Sequence, residues 1–443
     1  MNNAQNRNPD LYKKLKNLVM QAFIILKEKV DTGEKFHRRT IEEVSLNEEG
    51  ELLVPPLGYR DYSFELDYAD FIFRYREELI HLPEWISVKQ CLLEDEVISK
   101  QIKQEIVAPF GGARLDLARS IMRLIILSVK KNTPFYFEID QFDSVYREME
   151  EFFYSNNVTH ESFGLLLGFD SRSDEINLGD GVKIRRISNA EMIDLWRKSE
   201  WFRELVEGKR FTLLMNKPIR YILQLTIEAP KISCKERIRS SNASEIFDKV
   251  ICALRLFKKG WVDYPFIKEK QLASLSQDVS FVRSNSISIV PMTLSYRLKD
   301  NEIEDFKIFY KQVKNKIDCS NIAIKRFNET YRRTSVEDKL VDYLISFESL
   351  YGSGGYTLAH RAAILLGKGQ SERKQIFLEI KKAWDMRSAI VHGGRMGVVK
   401  IPELEIEYSI GDFVQKIEEY LRSSIKTLLK KQRKSWIDLV FQE

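Results

Sequence analysis

Beyond Leu298 the sequence is built from stretches in which apolar residues return every three or four positions, each bounded by a cap residue or a glycine. Val336, Leu340, Leu344, Phe347 and Leu350 form one such series, with Thr334 and Glu337 in capping-box spacing before it and Gly352-Ser-Gly-Gly355 after it. Tyr356 to Leu366 is a short second helix closed by Gly367. Ser371 with Glu372 opens a third, which carries Ile376, Ile380, Trp384 and Ile390 or Val391 to a stop at Gly393-Gly394. Gly411 to Arg433 supplies a fourth, with Phe413, Ile417, Tyr420, Leu421, Ile425 and Leu428 turned one way. Short connections between such helices imply antiparallel packing, so residues 301–443 are expected to form an antiparallel helical bundle.

The remaining chain reads differently. With 443 residues, about two or three domains are expected. Residues 1–150 are mainly helical, with helices over Leu11 to Lys29, Trp85 to Gln104 and Leu115 to Lys130, and an extended break at Pro55-Pro56. Residues 151–300 read as α+β. Phe163 to Phe169 and Val182 to Ile187 are strand candidates, and Arg220 to Glu228 alternates with period two. Ser188 with Glu191 has capping-box spacing before a helix through Trp196, and Ile246, Val250, Leu254 and Phe257 share a face of a helix over Ser244 to Lys259. Ser286 to Leu298 is a further strand candidate, broken at Pro291. The expected class is mainly α with a central α+β region and a C-terminal helical bundle.

Composition narrows the chemistry. Seventy Lys plus Arg against 65 Asp plus Glu leave a formal charge of only +5, compatible with a nucleic-acid partner but far from the broad positive field of a dedicated nucleic-acid binder. Cys91, Cys234, Cys252 and Cys319 form no CxxC pair and the five histidines are scattered, so neither a metal site nor a disulfide framework is expected, and no cofactor. The first apolar run, Leu18 to Leu26, is interrupted by Gln21 and followed by Lys27 and Lys29, and no run reaches the length of a membrane span. These readings predict a cytoplasmic protein without a membrane partner.

Two segments hold Arg and His with four residues between them: Arg76-Glu-Glu-Leu-Ile-His81 and Arg387-Ser-Ala-Ile-Val-His392. Spacing alone therefore carries no weight. Context separates them, because Arg387 and His392 end a well-punctuated helix within a bundle whereas His81 runs into Leu82-Pro83, where a helix ends for other reasons. The plain structural reading of Arg387 is a surface or ion-paired residue beside Asp385 or Glu379, with His392 capping the helix.

Phe347-Glu-Ser-Leu-Tyr351, Leu358-Ala-His-Arg-Ala-Ala-Ile-Leu-Leu-Gly367 and Ala383-Trp-Asp-Met-Arg-Ser-Ala-Ile-Val-His-Gly393 resemble, in order, the successive helices of Apea-like HEPN domains. The resemblance covers Ile322 to about Leu429, roughly a quarter of the chain. The middle region, with Arg185-Arg186-Ile187 and the helix Ile251 to Phe257, is loosely similar to what often precedes such a domain. The resemblance implies a metal-independent endoribonuclease in which the 2′-hydroxyl attacks the neighbouring phosphate, with Arg387 and His392 as the catalytic pair. It also implies a homodimer through the HEPN domain and a role in bacterial antiviral defence or toxin-like growth arrest. Ser388 follows the Arg where the family often carries Asn, Asp or His; Ser388 and Arg395 are accessory or RNA-contacting candidates.

The residue types suit that chemistry, since imidazole exchanges protons near neutral pH and guanidinium stays charged and grips phosphate in bidentate fashion. Positions five apart lie about 140° around a helix, so Arg387 and His392 do not share a face, and two copies meeting across a two-fold axis would pool both pairs in one cleft. The alternative is a non-catalytic HEPN module for RNA binding or dimerisation, attached to an α+β region that senses a ligand or regulatory protein. Glu348 and Arg361 are read as a buried polar pair bracing the bundle, His360 as structural, and Trp384, Phe377 and Phe347 as core. Lys430 to Lys434, extended by Lys325-Arg326 and Arg332-Arg333, reads more readily as a solvated helix end than as a nucleic-acid patch.

Overall fold

The computed structural model describes residues 7–47, 52–53, 61–103, 105–108, 111–114, 116–130, 135–198, 202–203, 220–230, 240–272, 283–284, 296–393 and 397–430. The chain is mainly helical, as the class reading expects, with one larger sheet and several two-stranded ones. Lys431 to Lys434, Arg395, Cys234 and most of the Ser286 to Leu298 strand candidate lie outside the described residues; Tyr296–Leu298 is a strand.

The N-terminal region has its own core. Helix α1 (Pro9–Asp31) starts at Asn8, whose side chain accepts from the Leu11 amide at 2.9 Å, with Pro9 at the first helical position where its missing N–H costs nothing. Leu11, Leu15, Leu18, Ala22 and Leu26 line its buried stripe. The helices α2 (Tyr68–Arg74), α3 (Arg76–Ile80), α4 (Pro83–Glu94), α5 (Glu96–Lys103), α6 (Leu117–Leu127) and α7 (Ile139–Tyr154) complete the unit. The single helix expected over Trp85 to Gln104 is two. Asp95 is extended, at φ −69° and ψ 118°, and its Oδ1 accepts from the amides of Val97 and Ile98, both at 3.0 Å. A short carboxylate that satisfies the free amides of the next turn competes with helix continuation. The unit also carries short antiparallel ribbons, Arg38–Glu42 with Tyr62–Leu66 among them, which the periodicity did not announce.

The middle region centres on a six-stranded antiparallel sheet. In spatial order it runs Arg283–Ser284, Phe266–Leu272, Asn157–Leu166, Tyr221–Pro230, Val182–Arg186, Glu175–Gly179. The period-two alternation works as expected: Tyr221, Leu223 and Leu225 face one core, whereas Ile222 faces another with Met192, Leu195 and Trp196 of α8 (Asn189–Lys198). The capping box is present, with Glu191 Oε2 accepting from the Ser188 amide at 2.9 Å and Ser188 Oγ accepting from the Glu191 amide at 3.2 Å. Arg185 adds bonds to both Glu191 oxygens at 2.6 and 2.8 Å and holds that carboxyl down to about 2.

One apolar cluster runs from Leu166 through α9 (Ser240–Phe257), α10 (Ile303–Val313) and α11 (Ile322–Glu329) to Ile425 near the C-terminal end of the described chain. It does not part near residue 300. Where the sheet region meets the bundle, Arg255 and Asp263 are almost fully buried and 3.2 Å apart. Arg255 also donates to the Val262 carbonyl and to Asn328 Oδ1 at 3.0 Å, and its guanidinium lies 4.5 Å from the Tyr331 ring centre. Arg332 reaches the same Asp263 carboxylate at 3.3 Å, and Arg422 donates to the Arg255 carbonyl at 2.9 Å. A buried charge demands such a set of partners, so these residues tie the two regions to one geometry.

The last part holds α12 (Val336–Tyr351), α13 (Gly355–Leu366), α14 (Gln370–Val391) and α15 (Ile410–Lys430), packed on one another, with short links between the first three helices and a longer one before α15. Three local expectations need correcting. The cap of α12 is Ser335, accepting from the Asp338 amide at 3.1 Å, rather than Thr334. Helix α14 is preceded by Gly369, with Glu372 accepting from the Lys368 amide at 2.9 Å, so Ser371 is inside it. A two-stranded ribbon, Val399–Ile401 with Ile406–Tyr408, stands between α14 and α15 where only helix and turn were expected. Val399 and Ile401 are buried, giving the ribbon its own hold on the core.

Candidate functional site

Helix α14 carries both residues of the Arg-x4-His segment. Its N-terminal half is clamped inside the bundle by Ile376, Ile380 and Ala383 and by Glu379, which is fully buried. Glu379 accepts from Tyr420 at 2.5 Å, Tyr408 at 2.6 Å and Gln375 at 2.9 Å. Burial, with the Glu379 carboxylate beside it, pushes the Tyr408 hydroxyl up to about 12, so it remains a proton donor at neutral pH. One carboxylate thus joins α14 to the ribbon and to α15. The expectation that Glu379 stands beside Arg387 as its partner does not hold, nor does Asp385, which pairs with Lys381 at 2.7 Å.

Arg387 lies two turns beyond Glu379. Its guanidinium sits 5.0 Å from the Trp384 ring centre and 3.3 Å from Glu348 of α12, with about a quarter of each charged side chain exposed. Its Nε is buried and has no hydrogen-bond partner among the described residues. Arg387 is therefore held in place from two sides while part of the guanidinium still meets solvent. Trp384 itself is backed by Gly355: a Cβ there would stand 2.6 Å from the indole Cγ, so only glycine lets the start of α13 approach this closely.

His392 is the residue that ends α14, at φ −92° and ψ 15°, and it is exposed. Its amide donates to the Ser388 carbonyl at 3.2 Å, and Gly393, at φ +83°, donates to Ile390 at 2.9 Å. The stop expected at this glycine is where the helix ends, because the left-handed conformation is open to glycine without steric cost. Ser388 is exposed on the same helix. Five residues apart, Arg387 is partly sunk and paired with Glu348, whereas His392 is exposed at the helix end. The second Arg-x4-His copy is different: Arg76 and His81 bracket a five-residue helix, and His81 Nδ1 lies 2.6 Å from the Glu77 carbonyl.

Other expected positions rearrange. Glu348 faces Arg387, and Arg361 donates to the Tyr351 carbonyl at 2.6 Å; both side chains are half-buried rather than sealed. Phe347 is core, but Phe377 and Trp384 are only half-buried, and His360, expected as structural, is exposed and stacks against Tyr356. The basic residues before α12 are used internally: Arg326 and Arg333 share the buried Asp342 at 2.9 and 2.8 Å, and Arg332 takes Asp263. The partly exposed pairing of Glu348 with Arg387 escaped sequence reasoning. Its signal was only a charged residue inside the apolar series of α12.

Among the described residues, no group of three or more His, Cys, Asp or Glu is placed to hold a metal ion, and no helix is long and apolar enough to cross a membrane. A cavity of about 550 Å³ belongs to the N-terminal unit, lined by Asp67, Tyr68, Lys130 and Gln141 among others. No model of a known protein family matches the chain, and neither does any curated protein or solved structure.

Proposed function

We propose that the chain is a metal-independent endoribonuclease whose C-terminal bundle is a HEPN-type domain, with Arg387 and His392 as the catalytic residues. The observation that carries this reading is a guanidinium held against Trp384 and Glu348, yet still partly open to solvent, on the helix that ends at an exposed imidazole. The ion pair to Glu348 is about a quarter exposed on each side, so it contributes roughly 1 kcal/mol or less. A bidentate phosphate contact is stronger than that and can displace it.

In the reaction His392 takes the proton of an RNA 2′-hydroxyl as its oxygen bonds to the adjacent phosphorus. The bond from phosphorus to the 5′-oxygen breaks, the imidazolium of His392 in the second copy gives that oxygen a proton, and a 2′,3′-cyclic phosphate remains. Arg387 stabilises the charge that builds on the phosphoryl oxygens. The two side chains point about 140° apart around one helix, so the working unit is a homodimer in which two α14 helices pool their groups. Val391, an exposed apolar residue next to His392 in the chain, supports such a contact. The N-terminal and middle regions would then position the bundle or respond to a regulatory protein or ligand, in antiviral defence or toxin-like growth arrest.

A non-catalytic RNA-binding or dimerisation module is the second reading, favoured by the fact that Glu348 already neutralises Arg387. RNA cleavage in EDTA by the wild-type chain and by His392→Ala separates the two. Cleavage that survives chelation and vanishes in the variant is the expected result. Equal activity of both chains, or activity that returns only with added magnesium or manganese, overturns the mechanism. Arg387→Ala and His392→Ala chains, inactive alone, should recover part of the activity when mixed. A stable monomer that still cleaves would refute the dimer.

A further inference from the structure

Tyr356 is the most exposed large hydrophobic side chain among the described residues of the bundle, at 67%, although it occupies the first turn of a helix whose apolar face is buried. It is nonetheless firmly held. The Phe377 ring meets it in a T-shaped arrangement, centres 5.2 Å apart at 74°, and His360, one turn further along, lies nearly parallel to it at 6.2 Å and 12°. The residue before it, Gly355, presses on the Trp384 indole, and the Arg387 guanidinium lies over that indole too. Trp384 therefore lies between Arg387 and the start of the helix on which Tyr356 follows Gly355.

We infer that Tyr356 is a stacking platform for an unpaired base of single-stranded RNA, whose backbone phosphate reaches Arg387. This rests on the ribonuclease reading and adds the class of substrate. A flat ring fixed in orientation loses little freedom when a base stacks on it, and stacking accepts any base because every base has a π-face. Exposed Lys374, three residues before Phe377, adds a cation suited to the backbone. A duplex keeps its bases stacked on one another and cannot use the platform. A second copy of the chain is the competing occupant, and nothing about a bare aromatic face would then require RNA.

The test uses the full chain carrying His392→Ala, so that bound RNA is not consumed, and follows the anisotropy of a fluorescein-labelled short RNA, single-stranded or annealed to its complement. Tyr356→Ala is expected to weaken single-strand binding by about five- to a hundredfold, while Tyr356→Phe stays within about twofold and Tyr356→Trp binds at least as well. Duplex binding should not respond. Single-strand binding that ignores Tyr356→Ala, equal losses for duplex and single strand, or a fall in sedimenting mass in place of a binding loss would each overturn the platform. Circular dichroism of Tyr356→Ala checks the fold, and the Phe and Trp variants keep the ring if it is altered. Tyr356-dependent binding without cleavage by the His392-bearing chain overturns the nuclease reading alone. Cleavage with Tyr356-independent binding overturns the platform alone.

Discussion

Acidification should weaken this protein through one histidine that takes no part in the proposed chemistry. His160 lies in the third strand of the large sheet, opposite Ile227, and is 95% buried, with neither ring nitrogen hydrogen-bonded among the described residues. Burial lowers its pKa from 6.5 to about 4. The folded state thus refuses a proton that the unfolded state accepts, and stability falls as pH drops from about 6.5 towards 4. At 1.36 kcal/mol per pH unit the loss is about 2 kcal/mol between pH 7 and pH 5, and about 3 by pH 4. Glu191, held down by Arg185, adds a separate loss only below about pH 4.5. Urea unfolding followed by tryptophan fluorescence at pH 7 and pH 5 measures the first window cleanly. His160→Leu removes both the titration and two unpartnered polar atoms, so it should flatten that window and leave stability at pH 7 equal or higher. A wild-type chain that is flat between pH 7 and pH 5, or a variant with the same acid loss, would refute the reasoning. The outcome also bears on function, because an acid limb in the rate profile can be assigned to His392 only once unfolding driven by His160 has been subtracted.

Three further outcomes follow from packing. Asp263→Ala strands the Arg255 charge in the core and should cost about 3–5 kcal/mol in urea unfolding, part of which Asp263→Leu combined with Arg255→Met should restore. Gly355→Ala drives a methyl into the Trp384 indole and should cost about 1–3 kcal/mol, with a changed near-ultraviolet dichroism signal that a purely surface effect would not produce. Tyr420→Phe takes one donor from buried Glu379 and should lower stability by about 1.5–3 kcal/mol, measured as a shift in the urea midpoint at constant slope.

Features written into consecutive residues were legible. The Ser188 and Glu191 capping box, the alternation of Tyr221 to Leu225, the buried stripe of α15 and the helix stop at Gly393 each depend on a few neighbouring side chains and on backbone sterics. Even there, a choice between adjacent hydroxyls was not. Ser335 caps α12 in place of Thr334 because only the chain's path into the helix selects which side chain meets the free amide. Asp95 split an apolar series that periodicity had joined, since a local carboxylate bond competes with the hydrophobic pattern.

The candidate site divides along the same line. Arg387 and His392, their spacing and their position at a helix end could be read from one short segment, because a helix relates residues by number alone. What that Arg touches could not. Glu348 and Trp384 became its neighbours, Glu379 went to two tyrosines instead, and Tyr356 was left largely exposed, once α12, α13 and α14 had packed at one particular separation. The same holds for the single core running past residue 300, where Arg255, Asp263 and Arg422 come from segments far apart in the chain. Contacts of this kind are decided by the summed burial of whole faces and by the need to satisfy each enclosed charge, and no local pattern records either.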